Sequence, residues 1–318
     1  MAEVSIRELA AACGVSISTV SKALHGNGRI GEETARRIVE TAAAMGYTGS
    51  QAARALAARP RRIALVLPRI ETETVARFRA GCCEEAALLS ANGIRLVETT
   101  PENAAELDGV LLHAACAPHF TPREGQPIAV FGGRAAALHP VAEVTPDARI
   151  AGRLAAQFLG FATEGAPAVV LSAHRGNYAE DEAVRGFREL AAKLGVTVSA
   201  VSECGDARGL QAELRRIART ALRVRGIFVT APLAVAATTV TAELRRKPVL
   251  IAADFSRAAQ DALRAGSVSA LLYPAEERQA ALALRALVSA MNGGSPAGHL
   301  TVRQELVLKS NLESYIDI

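Results

Sequence analysis

Five side chains near the N-terminus have the types and spacing of a polyanion contact. Ser5, Ser16, Thr19 and Ser21 supply hydroxyls, and Lys22 supplies an ammonium. Hydroxyls suit phosphate oxygens, which set register without reading sequence. Lys22 can donate to O6 or N7 of guanine, Ser18 can bond several base edges, and Ile17 offers an apolar contact to a thymine methyl. His25 follows, placed either to touch a phosphate or to cap a turn. A second constellation, His113-Ala-Ala-Cys116-Ala-Pro-His119, gathers three soft donors of the kind zinc takes. Its spacing is not that of a zinc finger and no fourth ligand lies nearby in sequence, so an incidental loop is the better reading and no metal is assigned.

Charge supports the first of these sites. Residues 1–62 hold nine basic and five acidic side chains, whereas the remainder holds 27 of each. All of the net charge of +4 therefore sits in the first fifth of the chain. A basic module on a neutral body fits a polyanion-binding head; on charge alone, the alternative is an ordinary solvated helical surface.

The elements that must position these residues are three short helices. Ser5-Ile-Arg-Glu8 has the form of a capping box, so a helix starts at Ile6, with Ile6, Leu9, Ala10 and Cys13 on one apolar face. Gly14 ends it, because glycine accepts the positive φ of a tight turn. Ser16 caps a second helix, Ile17 to about Leu24, with Val20 and Leu24 inward and Ile17, Ser18, Ser21 and Lys22 outward. A third amphipathic helix, about Glu32 to Met45, points Ile38, Val39 and Ala42 inward. Two helices joined through a glycine turn form a helix-turn-helix, whose second helix enters the DNA major groove.

The run Ile6-Arg-Glu-Leu-Ala-Ala-Ala-Cys-Gly-Val-Ser-Ile-Ser-Thr-Val-Ser-Lys22 resembles the head of the lactose/galactose repressor (LacI/GalR) family. Arg36-Arg-Ile-Val-Glu, Met45-Gly-Tyr47 and Ala53-Arg-Ala-Leu-Ala57 continue the resemblance. It implies that Ile17, Ser18 and Lys22 read bases, and that Thr34 and Tyr47 join the DNA contacts, Tyr47 on phosphate. It further implies a hinge helix over Ser50 to Ala58, in which Ser50 and Ala53 meet DNA and Leu56 wedges into the minor groove. Such a wedge unstacks a base step and bends the duplex. Two positions depart from the family: Ser50 stands where many members have asparagine, and Gly31 replaces a capping Ser or Thr, which weakens the start of the third helix.

Beyond Ile63 the pattern changes. Ile63-Ala-Leu-Val-Leu67 reads as a buried parallel strand, as do Gly109–Leu112, Ile128–Phe131, Ala168–Leu171, Gly226–Thr230 and Val249–Ala252. Helical stretches alternate with them at Val75–Ala91, Ile150–Leu159, Glu180–Leu194, Gly209–Arg223 and Ala275–Met291. This is the pattern of doubly wound α/β layers. The resemblance implies two such subdomains, like those of periplasmic sugar-binding proteins, with an effector cleft between them. The expected organisation is a head over 1–48, a hinge over 49–60 and a core over 61–318. The first subdomain takes 61–163 and 272–293, and the second takes 164–271 and 299–318. The matching segments are Asp147 to Ala156, Val184 to Leu190 and Tyr273 to Arg278.

Departures from the family fall at effector positions. Thr72-Glu-Thr-Val75 replaces an aromatic run, Ala183 replaces an arginine, and Ala231-Pro232 replaces an Asn-Asp pair. Asp147, Asp254 and Tyr273 remain as candidate effector contacts, although both acids also precede helices they can cap. Glu98 to Gly109 is short, so the second helix of the first subdomain is trimmed or lost.

Several functions are excluded. The longest apolar stretch, Ile227 to Val240, is too short for a membrane span and holds Pro232. No secretory signal opens the chain. Five scattered cysteines are not a disulfide framework and fit a reducing cytoplasm. Cys82-Cys83 on a helix reads as buried thiol, with a redox sensor as the alternative. No P-loop, G-x-S-x-G elbow or His-Glu-x-x-His occurs, so neither an enzyme nor a cofactor is expected. The expected protein is a cytoplasmic homodimeric regulator that binds a double-stranded DNA operator and, where the cleft takes one, a small-molecule effector. The alternatives are a regulator answering to a protein partner through a degenerate cleft, and a sugar-binding module with a vestigial head.

Overall fold

A computed structural model describes residues 4–25, 31–45, 60–90, 93–174, 177–220 and 223–316. The chain divides into two compact units, one built on the N-terminal helices and one on two sheets.

The head contains α1 (Ile6–Cys13), α2 (Ile17–His25) and α3 (Glu32–Ala44). Leu9, Ala10, Cys13, Val20, Ile38 and Ala42 form its core, with Ile6, Val15, Ala23 and Met45 packed around them. Gly14 takes φ 63° and caps α1 in the left-handed region, the conformation the turn requires. Val39 is 51% exposed, contrary to the inward placement expected from sequence. Ile38, Ala42 and Met45 already form an i, i+4, i+7 stripe, and Val39 lies about 100° around the helix from Ile38.

In the body, β1 (Arg61–Val66), α4 (Glu73–Leu89), β2 (Ile94–Glu98) and the single turn α5 (Pro101–Ala104) come first. Then come β3 (Gly109–His113), β4 (Ile128–Phe131) and β5 (Ala142–Pro146), before α6 (Ala148–Ala162) leads to the second layer. That layer holds β6 (Ala168–Ser172), α7 (Tyr178–Leu194), β7 (Val198–Glu203), α8 (Ala207–Thr220), β8 (Gly226–Val229) and α9 (Ala234–Thr241). It continues through β9 (Val249–Ala252), α10 (Arg257–Arg264) and β10 (Ala270–Tyr273). The chain then returns through α11 (Glu276–Met291), β11 (Gly298–Val302) and β12 (Glu305–Val307).

The first sheet has the order β11-β5-β4-β3-β1-β2, and the second β12-β10-β9-β8-β6-β7. The pairs β1–β3, β3–β4, β4–β5 and β5–β11 run parallel. So do the pairs from β7 to β10, and β12 closes the second sheet antiparallel. Central strands such as Ile128–Phe131 are buried throughout, as parallel strands covered on both faces must be.

One element is as the sequence reading expected, and two fall elsewhere than it put them. The second helix of the first layer is reduced to the turn Pro101–Ala104, as its short segment required. Helix α6 lies inside the stretch 61–163, yet Ala151, Ala155 and Leu159 pack with Val170, Phe187 and Phe228 of the second layer. The stretch 299–318 also divides: β11 pairs with β5 in the first sheet, and only β12 joins the second. The sequence reading treated each crossing as a clean cut, but the connecting segments are themselves packed elements.

Helices α6 and α7 cross at unusually short range. A Cβ on Gly152 would lie 1.9 Å from the Ala183 carbonyl oxygen, and one on Gly186 would lie 2.0 Å from that of Arg149. Only glycine permits that approach. Ala183, which stands where an arginine is usual, is buried at this crossing.

Candidate nucleic-acid interface and effector cleft

In the head, local hydrogen bonds fix the starts of α1 and α2. The Ser5 hydroxyl accepts the Glu8 amide at 3.3 Å, and Glu8 accepts the Ser5 amide at 2.7 Å. The Ser5 amide and the Ser5 hydroxyl, the latter at 2.9 Å, both donate to the Glu8 carboxylate and hold it below its usual range. The Ser16 hydroxyl accepts the Thr19 amide at 3.1 Å and lies 2.8 Å from the Thr19 hydroxyl. Ser16 thus caps α2 and leaves a hydroxyl pair beside its positive end. Arg37 of α3 donates to the Cys13 carbonyl at 3.4 Å, tying the third helix to the end of the first.

This scaffold presents a polar face with one apolar member. Ile17 is 44% exposed, Ser18 and Lys22 are exposed, and Ser21 and Thr34 are half-buried. Val20 points the other way and is fully buried. The arrangement gives hydroxyl contacts for phosphates and three side chains able to reach base edges. Tyr47, Ser50, Ala53 and Leu56 lie outside the described residues, as does the side chain of His25.

The three candidate effector residues are each engaged by groups of the chain itself. Asp147 Oδ1 accepts the Ile150 amide at 3.0 Å and caps α6. Asp254 is buried, accepting the Ala234 amide at 3.2 Å through Oδ2 and the Ser256 amide at 3.0 Å through Oδ1. Tyr273 donates its hydroxyl to Glu277 at 2.5 Å and packs against Phe255 and Tyr315, with ring centroids 4.8 and 5.3 Å away. Burial and that bond to Glu277 push its phenol up.

Sequence reasoning missed a third acid. Glu180, in the first turn of α7, is buried and accepts from the Ser172 hydroxyl at 2.9 Å and the Ala173 amide at 2.6 Å. It also accepts from the His174 amide at 3.4 Å and the Thr230 hydroxyl at 3.0 Å. These donors come from the carboxyl ends of β6 and β8, the edge where open α/β sheets present groups to ligands. Here a carboxylate of the chain itself takes them. The available signal was a Glu at the third helical position after Asn177, which reads equally well as a solvent-facing first-turn acid.

Between the layers, Glu73 at the start of α4 accepts the Arg257 amide at 2.5 Å, and so meets the N-terminus of α10. Arg77 donates to Glu276 at 2.9 Å, and its guanidinium lies 5.6 Å from the Phe255 ring centroid. Burial raises the Glu276 carboxyl, and Arg77 opposes that rise. Glu73, Arg77 and Arg257 border a cavity of about 490 Å³ that is also lined by Arg264 and Glu277. None of Asp147, Asp254 and Tyr273 lines it.

The soft-donor run does not gather. His113 Nδ1 accepts the Ala115 amide at 3.2 Å, and its ring sits between Phe78 and Phe131. Cys116 belongs to the core and His119 is exposed. Among the described residues no group of three or more His, Cys, Asp or Glu side chains could hold a metal ion. Cys82 is buried and Cys83 exposed, both as free thiols, and burial pushes the Cys82 thiol up, away from the reactive thiolate. Among the described residues no helix is long and apolar enough to cross a membrane.

With that geometry in place, comparison with known proteins decides what the head is. The model of the lacI family of bacterial regulatory proteins matches residues 5–50. The head belongs to the lacI family. Its matched span covers α1, α2, α3 and the exposed face of α2. The ribose operon repressor of Bacillus subtilis (strain 168) is 36% identical over 94 residues, a stretch spanning 29% of this chain and 28% of that repressor.

Behind the lacI-family head, the body is similar to solute-binding proteins. An arabinose binding protein from Geobacillus stearothermophilus superposes with a TM-score of 0.69 at 17% identity, covering 80% of this chain and 99% of that one. A periplasmic solute binding protein from Actinobacillus succinogenes 130z, solved with D-allose, gives a TM-score of 0.67 at 19% identity. It covers 80% of this chain and 100% of that one. The chain therefore joins a lacI-family helix-turn-helix to an α/β body of periplasmic-binding-protein type, with two largely parallel sheets.

Proposed function

We propose that this chain is a sequence-specific transcriptional regulator, acting as a repressor, which binds a pseudo-palindromic operator as a dimer in the cytoplasm. The face of α2 carries the reading: Ile17, Ser18 and Lys22 stand exposed beside the Ser16–Thr19 hydroxyl pair in a lacI-family head. In this reading Ile17, Ser18 and Lys22 touch base edges. Ser5, Ser16, Thr19, Ser21, His25, Thr34 and Tyr47 hold the backbone, while Ser50, Ala53 and Leu56 engage the minor groove of a bent centre. The test is binding of the purified protein to duplexes recovered by sequence selection. Two chains per duplex on a palindromic site support the proposal. Equal affinity for recovered and random duplexes overturns it.

A second reading concerns control. The commitment of Asp147, Asp254 and Tyr273 to bonds within the chain, with Glu180 filling the donors at β6 and β8, favours a body that does not take a free sugar on those groups. A site that removes sugar hydroxyls from water without bonding them binds weakly. Control then passes to another small molecule or to a protein partner. Calorimetry against a metabolite panel, coupled to operator binding, separates the two. A sugar-binding module with a vestigial head is disfavoured by the fully formed capping box and the exposed reading face.

A further inference from the structure

The first layer holds a cavity of about 510 Å³ that belongs to none of the groups described above. It opens where β1, β2 and β3 end, and its wall is the chain just beyond those strands: Leu67 to Ile70, Pro101-Glu102 and Ala115 to His119. In the sheet order β1 has β2 on one side and β3 on the other, so this is the switch point, where a crevice forms outside the carboxyl ends of the strands. The reduction of α5 to one turn leaves the crevice open, and the 3-10 turn Ala114–His119 lines the gap.

Its lining is amphoteric. Leu67 and Cys116 form an apolar floor, each 7% exposed, and Ile70 stands 77% exposed at the rim. Burial raises the Cys116 thiol, so it lines the floor as a neutral group. Arg69, His119 and Glu102 supply the polar groups. A hydrogen bond from Thr100 holds the Glu102 carboxyl below its usual range, and the charges of Arg69 and His119 add to that effect, so the three groups share one electrostatic neighbourhood. A pocket with an apolar floor and a few convergent polar groups of both signs suits a ligand with the same division.

We propose that this cavity binds an apolar α-amino acid, with its carboxylate on Arg69 and His119, its ammonium on Glu102, and its side chain over Leu67, Ile70 and Cys116. A plain monocarboxylate would face Glu102 unpaired, and a plain amine would face Arg69, so either is bound less well. The inference rests on the regulatory reading only for its consequence: the amino acid would be the signal that changes operator binding.

Calorimetry of the full chain with L-leucine and L-phenylalanine tests it. 4-Methylpentanoate and isoamylamine serve as probes lacking one charge. Saturable binding of an amino acid, weakened about tenfold or more when either charge is removed, is the expected result. Arg69→Gln and Glu102→Gln should each weaken amino-acid binding by about tenfold or more. Glu102→Gln should leave 4-methylpentanoate binding unchanged or stronger. Both side chains are exposed, and an unchanged melting temperature confirms the fold of each variant. Absence of saturable binding by any of the apolar L-amino acids up to about 10 mM overturns the proposal, as does binding indifferent to both substitutions. Operator selectivity in the same preparation keeps the two readings apart. Selective DNA binding without amino-acid binding defeats only the pocket, and amino-acid binding without DNA selectivity defeats only the regulator.

Discussion

Replacing Glu180 with alanine removes the one acceptor shared by four donors, and the cost can be worked out donor by donor. The Ala173 amide is buried and bonds Glu180 at 2.6 Å, so it loses its partner outright. A buried unpaired donor costs about 1–3 kcal/mol. His174 is exposed, and its amide, at 3.4 Å, can turn to water for little. The Thr230 hydroxyl also reaches the Leu171 carbonyl at 3.3 Å, which softens its loss. The Ser172 hydroxyl, at 2.9 Å, is buried and must find a new partner. The expected destabilisation is about 3 kcal/mol, within the usual range for breaking a buried charged network. All four donors meet the same oxygen, Oε2, so Glu180→Gln can keep an acceptor there and loses mainly the charge; a smaller loss of about 1 kcal/mol is expected. Urea unfolding with unchanged slope is the assay. A loss below about 0.5 kcal/mol for Glu180→Ala would refute the reasoning, because it would mean that water already serves these donors.

Three further outcomes are expected. Lys22→Ala should weaken specific binding by about 1–3 kcal/mol while changing random-duplex binding far less; equal loss on both in competition binding would reduce Lys22 to a phosphate contact. Burial pushes the His113 imidazole down to about 4, so the unfolded chain takes up this proton before the folded one does. Stability present above about pH 6.5 should therefore fall by about 1.4 kcal/mol per unit as pH drops towards 4, and His113→Phe should flatten that slope in melts across this window. Gly152→Ala would set a Cβ 1.9 Å from the Ala183 carbonyl, forcing α6 and α7 apart by more than an ångström. About 3 kcal/mol of destabilisation should follow, seen as a lowered melting temperature.

The head was legible because its signals are local. Ser5 and Glu8 lie three residues apart, and Gly14 marks a turn that only a positive φ can make. Val39 shows the limit: the sequence offered two adjacent apolar residues, and packing took Ile38. In the body, strands buried on both faces, such as Ile128–Phe131, stood out as apolar runs. Strand β7 was missed because its residues are intermediate or exposed and carry no such run. Asp147 caps the helix it precedes and Tyr273 bonds Glu277 four residues on, both within reach of a local reading, but the roles of Asp254 and Glu180 depend on long-range partners. Asp254 finds the amide of Ala234 twenty residues away, and Glu180 gathers Thr230 from fifty residues away. No spacing rule reaches that far.

The central claim is that the exposed face of α2 reads DNA sequence. Selection of random duplexes by the 318-residue chain at moderate salt, run in parallel with the Lys22→Ala variant, tests it most directly. The account predicts an enriched palindrome with a flexible central step, and relaxed preference at one position of each half-site in the variant. Unenriched duplexes held only by salt-sensitive attraction, or a motif identical for both proteins, would contradict it.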